Sequence, residues 1–180
     1  MATGSVVVRF PRLLPMQHDP PISLDAAYRR YFPAIREKCR RMLSDADEAQ
    51  DVAQETFVRL WSSGQVTLAP EQVLLWAYRT STHLAIDRLR RRALQTKWGH
   101  QPSAEAAMET QAAVIDARTV LRGLATRLPA RDLELLMLER VDGLTQSEVA
   151  EVVGTSHRTV RRWFSRAYRR LQLLKVEFER

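Results

Sequence analysis

The sequence predicts an all-α fold: two small helical domains joined by a linker, the second ending in a helix–turn–helix. Three observations predict it. Apolar residues recur at the 3.6-residue period of a helix, while strand-like alternation never persists beyond a few residues. Helix start and stop signals punctuate these runs, most plainly around Thr145 and Gly154. Between the two helical runs, Ala93–Gln111 holds Gly99 and Pro102 and begins with no clear apolar stripe. No internal repeat is present.

The elements follow in order. Residues 1–23 contain Pro11, Pro15, Pro20 and Pro21 with little periodicity and read as a mobile tail. The first domain spans 24–92. Its first helix runs from Leu24 to about Leu43, with Tyr28, Tyr31, Phe32, Ile35, Cys39 and Met42 on one side. Pro33 removes a backbone donor inside it and should interrupt and kink it. Asp45 with Glu48 caps a second helix whose buried side is Ala49, Val52, Ala53, Phe57, Leu60 and Trp61. Ser62 to Pro70 reads as a loop. Pro70 or Glu71 opens a third helix, carrying Trp76 and reaching about Arg92. Residues 93–111 form the linker, which fully extended could span roughly 65 Å. The second domain, 112–180, has helices around Val114–Leu128 and Ala130–Val141, with Pro129 at their joint.

The segment Leu144–Leu171, LTQSEVAEVVGTSHRTVRRWFSRAYRRL, then reads as a helix–turn–helix. Thr145 and Glu148 form a capping box for a short helix, Gln146–Val153, with small Ala150 turned inward. Gly154 ends it because glycine takes the left-handed conformation without a Cβ penalty. Thr155 and Ser156 offer the next N-cap hydroxyl. On the second helix Val160, Phe164, Ala167 and Leu171 make an apolar stripe, and Arg158, Arg161, Arg162, Ser165 and Arg169 another face. No carboxylate falls between Arg158 and Arg170. A guanidinium fork binds a phosphate, or the O6/N7 edge of guanine, through two parallel hydrogen bonds. A solvated helix surface is the plainer account of an arginine stripe. The capping box and glycine turn before it favour a helix for the major groove.

A net charge of +7 and a pI near 10.3 favour a polyanionic partner. The charge is uneven. Asp45, Asp47, Glu48, Asp51 and Glu55 form an acidic island that a non-specific nucleic-acid coat would not need. Arg88, Arg90, Arg91, Arg92 and Lys97 form a basic segment. Cys39 is the only cysteine, so no intrachain disulfide can form, a reducing cytoplasm is expected, and packing is its expected role. No apolar run resembles a signal peptide or the ~20 residues of a membrane span. Neither a nucleophile–base pair nor a Gly-rich phosphate loop is found, so catalysis and cofactors are not expected. The acidic island could be imagined as the metal ligands of a nuclease. Its members occupy successive faces of a helix start, where acids are favoured anyway, and no metal is expected.

Four stretches together resemble the bacterial RNA polymerase sigma factors of the sigma-70 family, extracytoplasmic-function (ECF) group. They are AYRRYFPAIREKCRRML at Ala27–Leu43, DADEAQDVAQETFVRLW at Asp45–Trp61, WAYRTSTHLAIDRLRRR at Trp76–Arg92, and the helix–turn–helix preceded by Leu128–Pro129. The resemblance covers about Leu24–Leu174 apart from the linker. It implies a σ2-like first domain that docks on core polymerase and engages the −10 element, and a σ4-like second domain that reads the −35 element. It implies core RNA polymerase and promoter DNA as partners, an anti-sigma factor as regulator, and no small-molecule substrate.

Residue by residue, the resemblance implies that Asp51, Gln54, Glu55, Phe57 and Trp61 belong to the docking helix. For Phe57 and Trp61, on the apolar stripe, core packing is the first reading. Asp51 and Glu55 are the better contact candidates. In the third stretch His83 and Asp87 match positions facing −10 DNA; many relatives have Asn where this chain has His83, so its −10 preference is expected to differ. Arg88, Arg90, Arg91 and Arg92 would contact phosphates, which position the strand without reading it, and Trp76 reads as core. In the second domain His157, Arg158, Arg161, Arg162, Ser165, Arg166 and Arg169 would face −35 DNA. Trp163, after a basic pair, and the C-terminal LLKVEFER are similar to the subgroup that activates iron-uptake operons. The rival reading is a stand-alone helix–turn–helix regulator, which would not need the acidic helix or a second arginine-rich one.

Overall fold

A computed structural model describes residues 20–43, 45–63, 67–97, 120–121 and 123–178. The elements are β1 (Ile22–Ser23), α1 (Leu24–Leu43), α2 (Ala46–Ser62), β2 (Thr67–Leu68) and α3 (Pro70–Lys97). A second unit follows, with α4 (residues 123–127), α5 (Ala130–Arg140), α6 (Gln146–Val153) and α7 (His157–Phe178). The all-α class holds.

Each helix of the first unit turns an apolar face to a common core. Ile35, Cys39 and Met42 of α1 meet Ala49, Val52, Ala53 and Leu60 of α2, and Val73, Ala77, Ala85 and Ile86 of α3. Small residues on α2 let the three helices approach closely. Asp45 starts α2 as its side chain accepts from the Asp47 and Glu48 amides.

Several expectations are corrected. Ile22 pairs antiparallel with Leu68, and Ser23 with Thr67, so the end of the expected tail and part of the expected Ser62–Pro70 loop are tied together. Helix α1 runs unbroken through Pro33, which lies on its exposed side. Residues 93–97, read as the start of the linker, continue α3. The rest of that linker, like residues 1–19 of the tail and 114–119 of the next helix, lies outside the described residues.

In the second unit the helix–turn–helix forms as its local signals dictate. The Thr145 hydroxyl accepts from the Glu148 amide at 3.3 Å, and the Thr145 amide donates to Glu148 Oε2 at 2.7 Å. Gly154 closes α6 at φ 67°. Ser156 then caps α7, its hydroxyl accepting from the Thr159 amide at 3.2 Å. Val160, Phe164 and Ala167 fill the space between α5, α6 and α7. A Cβ added at Gly154 would meet nothing within 4 Å, so the cost of Gly154→Ala is conformational alone. That substitution should destabilise the protein by about 1–2 kcal/mol in urea unfolding. Gly154→Asn should recover part of the loss, because asparagine tolerates the left-handed region.

The two units share a core. Every residue of α5 from Asp132 to Leu138 is buried, on all sides of the helix, because α6 and α7 cover one flank and α3 another. Lys38 of α1 and Asp142, just past α5, are both fully buried and meet at 2.5 Å. The Lys38 ammonium also lies 5.3 Å from the centre of the buried Tyr78 ring.

Candidate nucleic-acid interface and docking face

Helix α7 presents its polar face as the sequence predicts. His157, Arg158, Arg161, Arg162, Ser165, Arg166 and Arg169 are all exposed, while Val160, Phe164 and Ala167 are buried opposite. The Ser165 hydroxyl donates back to the Arg161 carbonyl at 3.0 Å. Arg170 is different. It turns to α5 and pairs with the nearly buried Asp132 at 2.5 Å. Trp163 also turns to α5, its indole lying 4.3 Å below the Arg131 guanidinium. Tyr168, half-buried, donates to Glu139 and accepts from Arg140 at 3.1 Å. These contacts fix the rotation of α7, and with it the direction in which its arginines point.

Helix α3 divides the residues assigned to −10 DNA. His83, Asp87 and Arg91 are exposed at i, i+4 and i+8, along one face. Arg79, one turn earlier on that face, is exposed too and was missed from sequence. Its signal was there, since Arg79 continues the four-residue spacing. The other arginines point elsewhere. Arg88 lies 3.6 Å from Glu55 of α2. Arg90 donates to the carbonyls of Ala125 and Leu128, both at 3.0 Å. Arg92 donates to Asp45 and Glu48, both at 2.8 Å. Arg88, Arg90 and Arg92, expected to contact phosphates, are thus already partnered within the chain. Their partners are carboxylates and helix-end carbonyls inside the protein. The face also touches the second unit, because His83 Nε2 lies 2.8 Å from Glu134 of α5.

The acidic island is partly neutralised. Asp45 and Glu48 are taken by Arg92, and Glu55 by Arg59 at 2.7 Å and by Arg88. The Glu48 amide, and then Arg92, hold the Asp45 carboxyl below the usual carboxylate range. What α2 offers outward is a stripe of Asp47, Gln50, Asp51, Gln54, Val58 and Trp61, all exposed. Trp61 is 75% exposed and Val58 61%, which overturns the placing of Trp61 on the buried stripe. Leu60 takes the inward position there instead. Phe57 is buried as expected, against Tyr28 edge-on at 5.2 Å. Two large apolar side chains beside free carboxylates fit a partner whose surface is basic with an apolar centre. Val58 was missed; an apolar residue on an otherwise polar face was the available signal. Among the described residues, no group of three or more His, Cys, Asp or Glu could hold a metal. No described helix is long and apolar enough to cross a membrane.

An exposed acidic and apolar stripe on one unit and an exposed arginine face on the helix–turn–helix of the other fit a DNA-binding factor that acts on a larger assembly. The Sigma-70 region 2 family model matches residues 27–95, and the Sigma-70, region 4 model residues 118–171. Between them they take in well over half of the chain, which belongs to the sigma-70 family of RNA polymerase sigma factors. The ferric citrate uptake sigma factor FecI of Escherichia coli (strain K12) is 25% identical over 167 residues, 87% of this chain and 93% of that protein. The ECF RNA polymerase sigma factor SigW of Bacillus subtilis (strain 168) is 26% identical over 145 residues, 73% and 77% of the two chains. A solved structure, the sigma factor RpoE in complex with the anti-sigma factor NepR from Bartonella quintana, aligns at a TM-score of 0.46 with 21% identity. It covers 84% of this chain and 96% of that one. The protein is a sigma factor of the ECF type, which binds core RNA polymerase and directs initiation at promoters.

Proposed function

We propose a division of that work among named residues. The outward stripe of α2, with Asp51, Gln54, Val58 and Trp61, docks on a basic surface of core polymerase. Arg79, His83, Asp87 and Arg91 on α3 meet the −10 element. His157, Arg158, Arg161, Arg162, Ser165, Arg166 and Arg169 on α7 meet the −35 element. The chain serves as an initiation factor without catalysis of its own, and it works in the cytoplasm, where its polymerase is. Residues 24–92 and 112–180 form the two domains. The observation that carries the reading is the exposed, carboxylate-free arginine face of α7, its orientation fixed by contacts to α5.

Each arginine has an expected signature in run-off transcription on promoter variants. A bidentate base contact is worth about 1–3 kcal/mol of discrimination. Arg161→Ala or Arg162→Ala should therefore relax the preference at particular −35 positions. Arg169→Ala should weaken all promoters about equally and flatten the salt dependence of binding. If every arginine change acts alike across variants, α7 is an electrostatic anchor and does not read sequence.

Two finer statements belong here. Similarity to the ferric citrate uptake sigma factor, with Trp163 in the recognition helix, supports iron-uptake operons as the regulon. Transcripts that rise with this factor while iron-uptake genes stay flat would exclude that. An anti-sigma factor, anchored in the inner membrane, is the proposed brake. Pull-down from uninduced cells that recovers only polymerase subunits would remove it.

A further inference from the structure

Helix α5 holds α7 on both sides of the buried stripe Val160, Phe164 and Ala167. On one side Arg170 Nη1 lies 2.5 Å from the Asp132 carboxylate, and Arg131 is held over the Trp163 ring. On the other, Tyr168 donates to Glu139 and accepts from Arg140, whose guanidinium lies 3.5 Å from Glu139 and 5.6 Å from the centre of the Tyr168 ring. Asp132 and Glu139 are seven residues apart, two turns along one face of α5. Their side chains are largely buried, while the guanidiniums they hold stay open to solvent. The arginines of the exposed face differ: among the described residues, no ion pair holds Arg158, Arg161, Arg162, Arg166 or Arg169.

The cations beside the buried stripe are thus paired, and those facing outward are not. We propose that Asp132 and Glu139 are positioning residues for promoter selectivity: by holding Arg170 and Arg140 they withhold two guanidiniums from phosphates of non-promoter DNA. The proposal rests on the assignment of α7 to the −35 element given above. Non-specific binding is almost wholly contact between cations and phosphates, whatever the sequence. In a non-promoter complex no base contact fixes the roll of α7, so a released flank guanidinium can reach a phosphate. On the promoter, base contacts turn the outward face into the groove and the flanks away from it, so the same guanidinium adds less. Selectivity is a difference of two affinities, and denying contacts to the wrong DNA widens it.

The test uses holoenzyme reconstituted from core polymerase and the full chain. Its affinity is measured by fluorescence anisotropy over a series of salt concentrations for two duplexes. One carries a promoter mapped by run-off transcription; the other is the same fragment with its −35 element scrambled. Asp132→Asn keeps the shape of the side chain and one acceptor while removing its charge. It should tighten binding to the scrambled duplex by about two- to fivefold. The log–log salt slope there should steepen by up to about 0.9, the value of one phosphate contact. Promoter affinity should change less, so the ratio of the two falls. Adding Arg170→Ala should abolish the gain; a gain that persists would overturn the proposal. Glu139→Gln should act in the same direction through Arg140, and it carries the test if Asp132→Asn does not fold by circular dichroism. Glu71→Gln removes an exposed carboxylate of α3 with the same change in net charge, and should alter neither affinity. Equal tightening on both duplexes, an equal gain from Glu71→Gln, or no gain in the folded variants would each overturn the proposal. A different result marks failure of the −35 assignment itself: scrambling costs the wild-type holoenzyme no affinity, and Arg162→Ala leaves both duplexes unaffected.

Discussion

Replacing Trp61 with alanine is expected to weaken binding to core RNA polymerase by about thirtyfold or more, with the helical circular-dichroism signal intact. The magnitude is that of an interface hot spot, at least about 2 kcal/mol, for which tryptophan is the commonest residue. The side chain is 75% exposed, so its removal leaves no cavity in the free protein. Asp51→Lys on the same stripe should add to the loss and make association less sensitive to salt. Glu55→Lys is a poorer probe. It would break the pairs with Arg59 and Arg88 and place like charges together, so part of its effect would be on the fold. Affinity for core polymerase by surface plasmon resonance decides the matter. A Trp61→Ala protein that binds as wild type would remove the α2 stripe from the docking surface.

Phe164→Ala should have the largest effect on stability, about 3–5 kcal/mol. Phe164 is 1% exposed at the centre of the helix–turn–helix, with Tyr168 stacked at 6.0 Å. The ring holds α7 against its neighbours, so the loss should fall first on −35-dependent initiation. Binding to core polymerase through α2 should decline less. Chemical unfolding and run-off on promoters with and without a −35 element would measure both. A cost below 1 kcal/mol would place the centre of that core elsewhere.

What the sequence made legible was local. The capping box at Thr145 and Glu148, the left-handed Gly154 and the stripes of α7 are set by neighbours three or four residues apart. Helix–turn–helix and arginine face followed from them. Trp61 was misplaced because its four-residue spacing from Phe57 extends the apolar stripe on paper. Near the end of α2 that stripe turns through Leu60, which is 2% exposed. The arginines of α3 were harder. Nothing in their spacing says that Arg92 would find Asp45 and Glu48, or that Arg90 would find carbonyls beyond the linker. Lys38 and Asp142 are 104 residues apart, and a lysine among arginines on α1 carries no mark of its burial. Pairing between distant segments is decided by packing, which periodicity does not encode.

Cys39 has a consequence for how this factor receives signals. It is the only cysteine of the sequence and is 0% exposed. Burial pushes its thiol up to about 12. At neutral pH the group then stays a thiol and does not present the reactive thiolate. Peroxide, electrophiles and disulfide exchange all act through that thiolate, and the surrounding helices bar their approach. Cys39 of the folded chain is thus shielded from oxidants. If the genes this factor controls answer to oxidative stress, the signal must enter elsewhere than through this thiol.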